Sequence, residues 1–250
     1  MNQMSSVSAA TRQRKRLDRV RRWDALCYRA KRKLALGLAA LSPAKRRAKT
    51  QWLTREGVEF LRAVGIGKGD TVVDLGCGAG AYSIPAALLI GNEGLVVSVD
   101  VRAPALKRMA RHAAALGVGN IRTAQNLAEM AFLLKGRSCR AVLLYDVLHF
   151  MDTGARKALY GAFRKQLAPD GFLSVFPNHL KGDSPSRFFR DMTIDEVIME
   201  IESSGFLLQE RRDVDLWHNP DRVRGTVLTL RISEPSGTMA KPLCRDVATA

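Results

Sequence analysis

Paired cysteines are missing from this 250-residue chain. Cys27, Cys77, Cys139 and Cys244 are scattered, with no CxxC pair and no histidine at metal-ligand spacing. That excludes a disulfide scaffold and fits free thiols in a reducing compartment; no metal is expected. No apolar run reaches the roughly 18–20 residues of a membrane span. The longest, Ala81 to Ile90, is broken by Ser83 and Pro85. The first residues lack the charged-then-apolar layout of a secretory signal, and Asp18 and Asp24 count against an organelle transit peptide. There is no internal repeat. Acidic residues are scarce at one end: residues 1–62 hold 17 Lys/Arg against 4 Asp/Glu, which accounts for +13 of the net +16. The remaining residues hold 23 against 20 and are nearly neutral. An apolar fraction of 46% is ordinary for a globular protein, and the length suits one core plus a terminal extension.

What is present is concentrated in Val72-Val73-Asp74-Leu75-Gly76-Cys77-Gly78-Ala79-Gly80. Three alternating glycines follow an apolar strand that carries a carboxylate. Such a loop turns sharply and leaves no Cβ between main chain and ligand. Twenty residues after Gly80, the strand Leu95–Val99 ends at Asp100, placed to accept hydrogen bonds from the two hydroxyls of a ribose. Together these describe a nucleoside-binding βαβ unit. Gly76-x-Gly78-x-x-Ala81 also satisfies the dinucleotide fingerprint. Two details argue against it: Asp74 stands where a dinucleotide strand is apolar, and Gly80 falls one position early. A helix N-terminus that holds pyrophosphate gains nothing from a neighbouring carboxylate.

Asp-Leu-Gly-Cys-Gly-Ala-Gly resembles the first motif of class I S-adenosylmethionine-dependent methyltransferases. The resemblance runs from about Trp52 to about Ile232. Leu143–His149 looks like the fourth strand with its terminal acid Asp146. Leu167–Val175 looks like the turn into the fifth strand, and Asp191–Val197 through Ser204-Gly205-Phe206 like the helix and turn before a closing strand pair. The resemblance implies S-adenosylmethionine as cofactor, with Gly76, Gly78 and Gly80 at its methionine and ribose part and Asp74 near its amino-acid end. It further implies Asp100 on the ribose hydroxyls, Val101 packed on adenine, and Tyr145 or Asp146 bordering the methionine end. Asn126 and Leu127 follow the third strand where the family often has an acid; none stands there, so a backbone carbonyl or Asn126 is left to meet the adenine amino group. Acceptor-side candidates are His149, His179, Tyr82 and His218, with His149, Asp146 and His179 read as catalytic. No Asn-Pro-Pro-Tyr segment follows the fourth strand, and Tyr145–His149 looks more like the branch acting on small molecules and lipids.

Strand and helix patterns alternate from residue 71 onward, which predicts a Rossmann-like, doubly wound, mostly parallel seven-stranded sheet with an antiparallel last strand. The expected organisation is a basic helical extension over 1–50 with a disordered start, a catalytic domain over 51–233 and a tail over 234–250. Apolar residues at Leu17, Val20, Trp23, Cys27, Ala30, Leu34, Leu38 and Leu41 keep helical period amid dense Lys/Arg. Ser42-Pro43 then reads as N-cap and first-turn proline of a second helix, and a third is expected from about Arg55 to Val64. The expected partner is a small-molecule or lipid acceptor. Residues 12–49 are read as a peripheral anchor on anionic membrane, with nucleic acid the rival partner and a helical lid over the active site, its charged face merely solvated, the third reading. The implied setting is cytoplasmic, at the inner face of the membrane. Two other functions stay open: a methyltransferase directed at RNA or DNA through the basic extension, and a non-catalytic or NAD-binding Rossmann protein.

Overall fold

The computed structural model of this protein describes residues 42–182, 188–189, 191–218 and 220–233. The amphipathic basic helix expected from Leu17 to Leu41 and the tail over 234–250 lie outside them, as do most of the residues read as a membrane or nucleic-acid contact.

Seven strands form one sheet: β1 (Thr71–Leu75), β2 (Leu95–Val99), β3 (Ile121–Ala124), β4 (Cys139–Tyr145), β5 (Leu167–Phe176), β6 (Phe206–His218) and β7 (Asp221–Ile232). Their spatial order is β3-β2-β1-β4-β5-β7-β6. β1 pairs in parallel with both β2 and β4, and β4 with β5; β7 runs antiparallel to β5 and β6. The sheet therefore has the expected architecture. The sequence pattern places the closing strands near 206–213 and 225–232; the pair is longer, because β6 continues as far as His218 and β7 begins at Asp221.

Strand residues are apolar at consecutive positions because both faces are covered. Val72, Val96, Ala141, Leu143 and Phe172 face one core with Leu61, Ile84, Leu106 and Met109. Their neighbours Val73, Val97, Val142, Leu144 and Leu173 face the other with Met130, Leu134, Leu159, Phe163, Val197 and Ile201. The helices supplying those residues are α2 (Gly57–Val64), α3 (Ser83–Ile90), α4 (Ala103–Ala115), α5 (Leu127–Leu134), α6 (Thr153–Gln166) and α7 (Ile194–Glu202), while α1 (Pro43–Gln51) has no fully buried residue. Ser42 caps α1 and Pro43 opens it, as the sequence implied. A π-helical turn, Trp52–Glu56, joins α1 to α2, so the two expected helices run on without a linker across residue 50. Lys45 pairs with Asp221 at 2.8 Å, Glu56 with Arg222, and the Trp52 indole donates to Ala81 O at 2.8 Å. These contacts strap the basic helix to the β6–β7 hairpin and to the start of α3.

One buried ion pair ties the second core to the end of β4. Arg156 on α6 is 1% exposed. Its Nε and Nη2 donate to Glu200 of α7 at 2.7 and 2.6 Å, and Nη1 donates to Met151 O at 2.6 Å. Tyr160 adds a hydrogen bond to Glu200, and the Phe189 ring lies 4.8 Å from the guanidinium. Met151 ends a short 3-10 turn, Leu148–Phe150, that carries His149. Glu200→Ala leaves the guanidinium buried without its counter-charge and is expected to destabilise the fold by about 3–5 kcal/mol in urea unfolding. Replacing both partners, Arg156→Met with Glu200→Leu, is expected to restore most of that loss.

Candidate active site

The sheet reverses its winding direction between β1 and β4, and open α/β sheets bind ligands beyond the carboxyl ends of the strands at such a point. The glycine loop and Asp146 flank this position. Gly76 has φ 78° and a Cβ on it would meet Val147 Cγ2 at 2.8 Å; Gly80 has φ 86° and its Cβ would meet Met109 Cγ at 2.5 Å. Side chains are excluded at both positions on two counts, backbone conformation and space.

Asp100 is 3% exposed at the end of β2. Its Oδ2 accepts from the Gly78 amide at 2.9 Å, so the carboxylate clamps the glycine loop. The Arg102 amide and Nε donate to Oδ1 at 2.9 and 3.0 Å, and Nη2 to Oδ2 at 3.2 Å. The sequence placed Asp100 at the strand end but gave no sign of Arg102, whose guanidinium contacts both carboxylate oxygens. Asp74 is also buried; Ser83 Oγ donates to it at 2.5 Å, and Ser98 Oγ donates to Ser83 at 2.8 Å. That chain of hydroxyls links β1, β2 and the first turn of α3. Val101 is partly exposed next to Asp100. Asn126 caps α5, its Oδ1 accepting from the Glu129 amide and its Nδ2 donating to Glu129 Oε1. Glu129 also accepts from the Gln125 amide at 2.7 Å. Glu129 thus closes the cap at the start of α5, and its carboxylate is spent on Gln125 and Asn126. Leu127 is the first residue of that helix and packs partly buried against the second core.

Tyr82 and Tyr145 belong to an aromatic cluster with Trp52, Phe60 and Trp217; the two tyrosine rings meet edge-on at 4.5 Å. The Tyr82 hydroxyl donates to Trp217 O and accepts from Trp217 N, at 3.1 and 3.2 Å. Tyr145 shares a 2.6 Å hydrogen bond with Ser174. Burial raises the pKa of both phenols; the neighbouring Tyr145 adds to the rise at Tyr82, and the Asp74 charge adds to it at both. Tyr82, read from sequence as facing the acceptor, is instead a structural tie between α3 and β6. Tyr145 spends its side chain on the core. Neither Cys77 nor Cys139 is in a disulfide, and burial pushes the Cys139 thiol up to about 12.

The acceptor side is dominated by one carboxylate. The chain has 4 histidines, and three of them surround Asp146. His149 Nδ1 lies 3.5 Å from Asp146 Oδ1, His179 Nε2 3.5 Å from the same oxygen, and His218 Nε2 3.0 Å from Oδ2. Asn178 Nδ2 donates to Oδ1 at 3.2 Å. The imidazoles of His149 and His179 meet edge-on at 4.5 Å. His149 is buried, whereas Asp146, His179 and His218 keep 27%, 26% and 29% of their side chains exposed, so the group opens to the crevice. Among the described residues only Lys135, Asp146 and His179 are non-glycine residues with positive φ. Lys135 ends α5; the other two sit here, at 53° and 62°. A side chain in that conformation costs about 1–3 kcal/mol and persists where surrounding structure enforces it, typically at functional sites. The structure therefore brings together the three residues read as catalytic, and adds His218 at the far end of the extended β6.

Residues 72–171 match the family model described as a methyltransferase domain. A probable cobalt-precorrin-6B C(15)-methyltransferase (decarboxylating) of Saccharolobus solfataricus is 39% identical over 70 residues, 27% of this chain and 35% of that protein. Nocamycin O-methyltransferase of Saccharothrix syringae is 38% identical over 73 residues, 26% of each. The matched part thus spans about a third or less of the length of these curated relatives. In fold, the chain is similar to the magnesium protoporphyrin IX methyltransferase of Synechocystis PCC 6803, solved with bound S-adenosylmethionine. The TM-score is 0.53 at 21% identity, over 79% of this chain and 86% of that one. A SAM-dependent methyltransferase of Aquifex aeolicus gives 0.51 at 15% identity, over 74% and 96%.

Proposed function

We propose that this chain is a class I S-adenosylmethionine-dependent methyltransferase, a reading supported by the methyltransferase-domain match over residues 72–171, and that it methylates a small-molecule acceptor through a protonated heteroatom, with Asp146 and its histidines as the acceptor-side machinery. The observation that carries this reading is the convergence of His149, His179 and His218 on one carboxylate at the carboxyl ends of β4, β5 and β6. Similarity to the precorrin and nocamycin enzymes supports the small-molecule class.

Methyl transfer from a sulfonium is an in-line displacement. An acceptor lone pair forms the new bond to carbon as the carbon–sulfur bond breaks, and the sulfur leaves as a neutral thioether. The acceptor must lose its proton, and the protein must hold nucleophile and methyl collinear; that positioning contributes most to the rate. Imidazole takes such a proton near neutral pH, and Asp146 both orients the rings and stabilises the imidazolium that forms. The glycine loop after β1 holds the methionine and ribose part of the cofactor. Asp100 takes the ribose hydroxyls once the Arg102 side chain has moved aside, and Val101 and Asn126–Leu127 border the adenine.

Two measurements test these assignments. Asp100→Ala is expected to weaken S-adenosylhomocysteine binding, on the order of 1.5–3 kcal/mol per lost hydrogen bond, in calorimetric titration. Arg102→Ala is expected to leave that affinity unchanged or raise it; a loss as large as that of Asp100→Ala would show that the pair serves only to clamp the loop. For the acceptor side, the activity is read with radiolabelled cofactor against a fractionated metabolite pool. His149→Ala and His218→Ala are each expected to lower kcat by about 10²–10⁴-fold, the range of general acid–base catalysis, with cofactor affinity retained. Equal turnover in the variants and the parent would place proton removal elsewhere.

A further inference from the structure

The sequence holds no local metal motif, yet the fold assembles ligands from three strand ends. We infer that Asp146, His179 and His218 form a binding site for one divalent transition-metal ion, which holds the acceptor of the methyl transfer. The inference rests on the methyltransferase reading above for its role, but the site itself stands on geometry.

One ligand atom from each of the three residues lies within 4.8 Å of the others. His218 Nε2 and Asp146 Oδ2 are already 3.0 Å apart, and His179 Nε2 is 3.5 Å from Asp146 Oδ1. Metal–nitrogen and metal–oxygen bonds of about 2.0–2.2 Å place tetrahedral ligand atoms about 3.4 Å apart, so the widest pair must close by little more than about an ångström. The surroundings have the form that metal sites need outside the ligands. His149 Nδ1 and Asn178 Nδ2 both face Asp146 Oδ1, at 3.5 and 3.2 Å, which orients the carboxylate and leaves Oδ2 toward His218. Asp146 and His179 are both held at positive φ, a strain that serves to aim two side chains at one point.

Three protein ligands leave coordination positions open, and the side chains are partly exposed, so a ligand from the crevice can reach the ion. Two imidazoles and one carboxylate favour zinc, iron, cobalt or nickel over magnesium or calcium, which prefer oxygen. An acceptor hydroxyl bound there has a lowered pKa: it forms a metal–oxygen bond and gives its proton to His149 or to solvent. The oxygen then attacks the methyl group, and the carbon–sulfur electron pair stays on sulfur. The substrate class this selects is a small molecule whose acceptor is a metal-binding oxygen. The competing occupant of the site is a proton, with a His218 imidazolium paired to Asp146 and no metal role.

The full chain, purified without a histidine tag and after chelator treatment, is titrated with cobalt(II) chloride and separately with magnesium chloride. Binding is followed by calorimetry and by visible cobalt absorption. One equivalent of cobalt with no magnesium binding is expected, and His179→Ala and His218→Ala should each weaken cobalt binding at least tenfold. His112→Ala, which removes the histidine that lies away from Asp146, should leave it unchanged. Circular dichroism and S-adenosylhomocysteine titration of the same samples report on folding and on the cofactor site. Absence of cobalt binding by a chain that binds S-adenosylhomocysteine overturns the metal site and leaves the methyltransferase reading standing. Cobalt binding that survives both histidine substitutions places the ion elsewhere and also overturns it. Cobalt binding lost in the variants, with no S-adenosylhomocysteine affinity in the parent, would keep the site and remove the role given to it.

Discussion

The parallel register between β1 and β4 is the constraint from which the rest follows. Val72 lies against Ala141, Val73 against Val142 and Asp74 against Leu143, so the two strands end side by side while their outgoing chains turn to opposite faces of the sheet. That divergence opens the crevice. On the β1 side the chain leaves through three glycines at positive φ, and at Gly76 and Gly80 Val147 and Met109 also fill the space a side chain would need. On the β4 side it leaves through Asp146, also left-handed but not glycine. The two turns differ in chemistry for a physical reason: one must let a ligand lie against bare backbone, the other must present a charge.

Buried polar contacts then fix each half of the crevice to the sheet. Asp100 holds the Gly78 amide, and Asp74 holds Ser83 and through it Ser98, so the loop is fastened to β2 and to α3. On the other half, Arg156 and Glu200 fix the Met151 carbonyl just beyond His149. A guanidinium buried among apolar side chains is tolerable only with its charge matched and its donors placed. The same pair thus stabilises α6 against α7 and sets where the 3-10 turn ends. The long β6–β7 hairpin completes the site by delivering His218, and the helix over 43–64 braces that hairpin through Lys45–Asp221 and Glu56–Arg222.

Most of the fold was legible in the sequence. Seven strand segments, their mostly parallel order and the Ser42-Pro43 helix start follow from local patterns, because period and capping depend on residues within a few positions of each other. The glycine loop and Asp100 were legible for the same reason: they belong to one βαβ unit, and their residues sit close along the chain. Tyr82 shows the limit of that reasoning. Beside the glycine motif it looks accessible, and only the packing of β6 across it shows the hydroxyl committed to Trp217.

The chain by itself therefore determined the glycine loop, the acid that ends the next strand and the identity of the strands. The histidines and Asp146 were singled out from the chain as well, but only tertiary structure decided that they meet on one carboxylate. His149, His179 and His218 are spread over 70 residues, and no spacing rule links them; they meet because β4, β5 and β6 end at one edge of the crevice. The reach of β6 was also invisible locally, since Val214 to His218 alternate too weakly to mark a strand until β7 supplies the partner register from Asp221 to Gly225. Local sequence encodes backbone shape, whereas the meeting of distant side chains is set by strand order and length, which only the packed sheet determines.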